Sequence, residues 1–165
     1  MGLVPSWASD ANFGFKCINA RSETAASKPA FRSAFRHRRC LIPADGFFEW
    51  QKQGKARQPF LFRMRDGQPF AFAGLWDHWT QGDGRETCTI LTTTANELVR
   101  PLHERMPVIL PLAFYDDWLE PPADAPEWLQ TALRPYPAQE MEAVPVKTWV
   151  NDARHEGPEC VRPMA

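Results

Sequence analysis

An α+β fold with a mainly antiparallel sheet is what these 165 residues predict, as a single domain spanning 1–165. Three observations carry the prediction. Short apolar runs divided by turn dipeptides fill the stretch from 40 to 94. Helical spacing is confined to brief segments lying between such runs. Sixteen prolines argue against long uninterrupted helices.

The chain opens with "GLVPSW", an apolar, strand-like piece. "SETAASKPAFRSAFRHRRC" predicts a helix from about Lys28 or Pro29, because proline suits a first helical position. Phe31 and Phe35 would share one face and Arg32, Arg36 and Arg39 an adjacent stripe. Four apolar runs follow: Cys40-Leu-Ile, Phe47-Phe-Glu-Trp, Phe60-Leu-Phe-Arg-Met and Phe70-Ala-Phe-Ala-Gly-Leu-Trp. Turn signals at Ala44-Asp-Gly, Gln53-Gly and Asp66-Gly make them an antiparallel meander. "TCTILTTTANELVRPLHERMPVIL" reads as a strand, a short helix from near Ala95, a turn at His103 and another strand. Short helices are expected in "AFYDDWLE" and "APEWLQTAL", and "MEAVPVKTWVN" returns to strand.

Composition is ordinary for a globular protein, 44% apolar and 24% charged. No apolar run approaches the roughly twenty residues of a membrane helix. No basic region follows Met1 as in a signal peptide, so a cytoplasmic location and no membrane partner are expected. Cys17, Cys40, Cys88 and Cys160 lack C-x-x-C spacing. They are read as reduced, buried or inert thiols rather than zinc ligands or disulfides, with a nucleophilic cysteine as the other reading. Net charge is −1, but unevenly spread. Residues 1–65 hold twelve Lys/Arg against four acidic residues, and the remainder seven against sixteen. Such a split suggests a basic face for a polyanion, unless the two parts interleave and cancel.

Glu49 sits among Phe47, Phe48 and Trp50, where desolvation disfavours the charged form. It is either an exposed strand position or an acid held at a raised pKa. On a strand it would share a face with Phe47 and Gln51, with Phe48 and Trp50 opposite. Asn19 reads as a turn cap or a site residue. His103 reads as a helix-terminal cation or a functional loop residue. Trp7 and Trp50 could offer faces to unpaired bases, with Arg21, Lys28 and Arg105 on phosphates. Trp76, Trp118, Trp128 and Trp149 are assigned to the core.

The series "GLVPSWA … INARSETAASKPAF … RRCLIPADGFFEW … PF … AGLWDHW … TILTTTAN … LHERMPVIL" strongly resembles the SRAP domain. This is the SOS-response-associated peptidase, or abasic-site processing, family. The likeness runs from about Gly2 to the terminal "NDARHEGPECVRPM". It implies a barrel-like or bifurcated sheet with short peripheral helices, in a protein that binds single-stranded DNA containing abasic sites. In that family an N-terminal cysteine joins its amine and thiol to the ring-opened aldehyde, giving a thiazolidine crosslink. Asn19 then helps to position the reacting groups, Glu49 transfers protons, and His103 protonates sugar oxygen. Trp7, Arg21, Trp50, Thr92 and Arg105 match groove-lining positions, and Lys28 more loosely. No cofactor or metal is implied, and a monomer is expected.

One departure stands out. Gly2 follows Met1 where the family has its cysteine, and Met1 falls where a Trp precedes "GLVPSW". None of the four cysteines matches the nucleophile, so an N-terminally truncated domain is expected. The alternatives are a non-catalytic single-strand-binding module and an (auto)peptidase.

Overall fold

A computed structural model describes residues 2–120 and 127–164, apart from the side chains of Glu127, Trp128 and Gln130. In chain order its strands are β1 (Asn19–Arg21), β2 (Arg39–Ala44), β3 (Phe47–Gln53), β4 (Ala56–Met64), β5 (Phe70–His78), β6 (Glu86–Thr94), β7 (Arg105–Pro107), β8 (Ile109–Leu110) and β9 (Met141–Pro145). The α-helices are α1 (Ser22–Ala25), α2 (Arg32–His37), α3 (Tyr115–Leu119) and α4 (Glu127–Ala132). Two sheets with short helices make the α+β fold that the sequence predicts. No helix among the described residues is long and apolar enough to cross a membrane. The chain divides into two compact units.

The first unit comprises Met1–Pro43, Ala71–Thr94 and Pro107–Tyr136. Its strands run in the order β1-β6-β5-β2, with β8 also on β5. β1 lies parallel to β6, placing Arg21 opposite Thr92 and Asn19 opposite Ile90. On β6 the residues Thr89, Leu91 and Thr93 are buried while Cys88 and Thr94 are exposed, a period-two pattern with one face on the core. That core gathers Leu3, Phe35, Leu75, Leu91, Val108 and Trp118. Gly74 packs so tightly on β2 that a Cβ there would come within 2.7 Å of Cys40 Sγ and 2.8 Å of Ile42 Cδ1.

The second unit comprises Ala44–Phe70, Ala95–Met106 and Pro137–Ala165. Its sheet has the order β3-β4-β9, antiparallel throughout. β3 and β4 form a hairpin about Gly54-Lys55, with Glu49 opposite Phe60 and Trp50 opposite Pro59. Phe47 stacks on its cross-strand partner Phe62, ring centroids 5.2 Å apart.

Several expectations are corrected. The four apolar runs form strands, but not one meander: β2 pairs with β5, while β3 and β4 pair with each other and with β9. "GLVPSW" is not a strand. Leu3 N donates to Cys17 O and Val4 N to Thr87 Oγ1, so individual amides are satisfied without a ladder. Helix α2 begins at Arg32, because Lys28 O accepts from both the Phe31 and Arg32 amides and closes a turn first. Arg39 leaves the helical stripe for β2 and is buried there. Its Nε donates to Phe35 O at 2.8 Å, and its guanidinium lies over the Phe35 and Trp118 rings. No helix forms from Ala95, where the chain makes successive turns instead. Asn96 Oδ1 accepts from the Leu98 and Val99 amides as a helix N-cap does, and Arg100 N donates to Asn96 O, but Pro101 has no amide to continue the ladder. After β9 the "KTWVN" stretch is a 3-10 turn, Thr148–Asn151, rather than strand.

Of the tryptophans assigned to the core, Trp118 is fully buried and Trp76 half-buried. Trp149 is 47% exposed and stacks at 3.5 Å on His155, so that assignment is corrected. The Trp128 side chain lies outside the described residues.

Candidate active site and nucleic-acid interface

Strand β3 explains why Glu49 stands where it does. Alternation puts Phe48 and Trp50 on one side, their rings 6.2 Å apart, and Glu49 with Phe47 on the other. The Glu49 side chain is 21% exposed. Burial raises its carboxyl pKa above the ordinary value, while the His103 charge and a backbone hydrogen bond at Trp50 pull it back. Burial wins, which is the raised-pKa reading of the sequence.

His103 is supplied by the turns that follow β6. Its Nδ1 lies 3.7 Å from Glu49 Oε1 and 2.8 Å from Arg105 O. The Arg105 amide approaches the same Nδ1 at 3.2 Å as a donor, so this atom faces a backbone acceptor and a backbone donor at once. A half-buried acid next to an imidazole suits proton delivery and recovery near neutral pH. The structure therefore brings Glu49 and His103 together in the second unit.

The other candidates are placed as follows. Asn19 and Arg21 are exposed on β1 with buried Ala20 between them, so both project from one face of the first unit's sheet. Thr92 is Arg21's register partner on that face, and its Oγ1 lies 3.4 Å from Ala20 O as donor. Trp7 is 55% exposed and meets Phe13 edge-on. Lys28 is exposed, and its charge opposes the burial that raises the Cys17 thiol pKa. Trp50 and Arg105 belong to the second unit, and Arg105 is half-buried on β7.

All four thiols are free. Burial raises Cys17 and pushes Cys40 up to about 11, so neither holds the thiolate that attacks carbon. Gly2 touches the Cys17–Ile18 peptide so closely that a Cβ would approach its atoms to 2.3 Å.

Sequence reasoning missed Asn151. Its Oδ1 accepts the Trp50 indole N–H at 2.7 Å, and its Nδ2 donates to Arg57 O at 3.0 Å. No local pattern marks it, since its partners lie about a hundred residues earlier.

The profile of the family described as SOS response associated peptidase (SRAP) matches residues 1–153. The abasic site processing protein YoqW of Bacillus subtilis is 44% identical over 163 residues, covering 97% of this chain and 73% of that protein. The abasic site processing protein YedK of Escherichia coli is 31% identical, over 99% of this chain and 72% of that one. A crystal structure of a Bacteroides thetaiotaomicron protein superposes with a TM-score of 0.85 at 28% identity, covering 99% of this chain and 75% of the other. Carrying the family's words in order across nearly its whole length, the chain belongs to the SRAP family.

Proposed function

We propose that this protein processes abasic sites in single-stranded DNA, forming a thiazolidine crosslink through the N-terminal cysteine that the family uses. The Glu49–His103 pair, 3.7 Å apart with the carboxyl raised by burial, is the observation that carries the reading. In the proposed reaction His103 gives a proton to the ring oxygen as the sugar opens to its aldehyde. The cysteine amine adds to that carbon, and Glu49 protonates the resulting hydroxyl, which leaves as water. The thiolate then adds to the imine carbon, and the nitrogen keeps one hydrogen. Asn19 positions the reacting groups, while Trp7, Arg21, Lys28, Trp50, Thr92 and Arg105 hold the strand.

Glu49→Gln tests the reading. Intact single strands are expected to bind as before, while crosslinking to uracil-excised oligonucleotides falls about 100-fold. Crosslinking is read on denaturing gels with the chain carrying an N-terminal cysteine segment of the family. Equal loss of binding and crosslinking would remove the acid–base role. A second reading, a binding module without chemistry, is favoured by the raised thiols of Cys17 and Cys40. It predicts salt-sensitive binding and no covalent band even with that segment present.

A further inference from the structure

Strand β6 turns both Thr89 and Thr93 to the core, yet only one of the two hydroxyls is satisfied. Thr89 Oγ1 donates to Ile18 O at 3.1 Å, on the chain leading into β1. Pairing with β1 ends where Arg21 lies opposite Thr92, and Ser22 then begins α1. Thr93 follows that last pair, so no β1 carbonyl faces it. It is 5% exposed, and its hydroxyl has no hydrogen-bond partner among the described residues. A buried hydroxyl left without a partner costs stability until something supplies one. Thr93 lines a cleft of about 590 Å³ together with Ser22, Phe35, Leu129, Leu133 and Arg134. This cleft lies wholly within the first unit.

One wall of the cleft is apolar and preformed. Phe35 is held edge-on against Trp118, ring centroids 6.2 Å apart, and Leu129 is 4% exposed. Leu133 N donates to Leu129 O, which sets the two leucines one helical turn apart on the same side. The remaining wall is polar. Hydroxyls of Ser22 and Thr94 join that of Thr93, and Arg134 is exposed with no ion pair among the described residues. Glu23 also lines the cleft, but it already has an interaction of its own. A guanidinium and hydroxyl donors match a carboxylate. The Glu23 carboxylate opposes a doubly charged phosphate more strongly than a single negative charge. The volume falls in the range of pockets that bury most of a small ligand's surface.

We propose that this cleft is a binding site for a small monocarboxylate with an aromatic or branched apolar body. The body lies against Phe35, Leu129 and Leu133, and the carboxylate accepts from the Thr93 hydroxyl and the Arg134 guanidinium. The ligand thereby supplies the acceptor that β1 does not. The site needs neither a DNA strand nor the Glu49–His103 pair.

The test titrates the 165-residue protein with 4-phenylbutyrate, 4-phenylbutanol and 4-phenylbutyl phosphate, read by amide chemical shifts. Phenylbutyrate should give saturable shifts confined to residues 22–26, 35, 93–94 and 129–135. The alcohol and the phosphate ester should each bind at least fivefold more weakly. Thr93→Val is expected to bind phenylbutyrate about tenfold more weakly, through loss of one hydrogen bond to a charged group. Unliganded, that variant should melt no lower than the parent, because it loses a hydroxyl that had no partner. Arg134→Ala should bind phenylbutyrate about threefold more weakly and the alcohol as well as the parent does, a split that damage to the fold does not produce. Absence of saturable shifts in the parent, or equal affinity for acid and alcohol, would overturn the site. Tighter binding of the phosphate ester would overturn the choice of a monocarboxylate, and a lower melting temperature in Thr93→Val would show that the hydroxyl already has its partner.

Discussion

The two units treat their charges differently. In the first, a buried polar group is tied down: Asp77 pairs with Arg38 at 3.2 Å and takes the Ser6 amide, and Arg39 bonds a carbonyl while lying over two rings. In the second, a half-buried carboxyl has a histidine 3.7 Å away and is held above its ordinary pKa by burial. Burying an ionisable carboxyl without a full counter-charge costs stability, and a group so perturbed is a candidate for chemistry rather than packing.

Four experiments would break or sharpen this contrast. The largest effect belongs to the second unit. Glu49→Gln should reduce crosslinking about 100-fold, roughly 2.7 kcal/mol at the transition state, without loss of folding. A drop in melting temperature instead would make Glu49 a packing residue.

Next comes the first unit. Gly74→Ala should destabilise by about 1–3 kcal/mol, because its methyl meets Cys40 and Ile42 in the middle of the sheet. Chemical denaturation would read this. A variant as stable as the parent would show that the sheet yields more readily than its packing suggests.

A smaller effect is expected at the exposed edge of that sheet. Arg21→Ala should weaken strand binding severalfold and reduce the salt slope by about 0.7, leaving stability within about 0.5 kcal/mol. Isothermal titration at two salt concentrations separates these outcomes.

The smallest effect is the pH dependence of stability. With its pKa raised on folding, Glu49 binds more protons folded than unfolded, so its contribution falls as pH rises above the ordinary value of 4.5. Glu49→Gln should therefore gain melting temperature over the parent at neutral pH, and the gain should vanish at about pH 4 and below. A difference independent of pH would remove the burial account of the raised carboxyl.

Local chemistry was legible where neighbours in sequence are also neighbours in space. The bend at Asp45 and the alternation of β3 are readable in "ADGFFEW", and the half-buried acid is one of the two readings it allows. Pairing was not legible. Whether β2 meets β3 or β5 depends on partners about thirty residues away, which no turn dipeptide encodes. The helix expected from Ala95 goes no further than turns because Pro101 has no amide to donate, although Asn96 caps the Leu98 and Val99 amides as a helix start would. Trp149 shows the limit of composition: an indole outside the core is satisfied by stacking on an imidazole. Asn151 acts through the folded hairpin and had no sequence signal at all.

The tight seat of Gly2 carries a practical consequence for anyone altering the start of this sequence. Exchanging that glycine for any larger residue would drive the new side chain into the Cys17–Ile18 peptide and lever the segment off its Leu3–Cys17 hydrogen bond. Position 2 therefore accepts glycine alone, and a tag or label is better carried elsewhere.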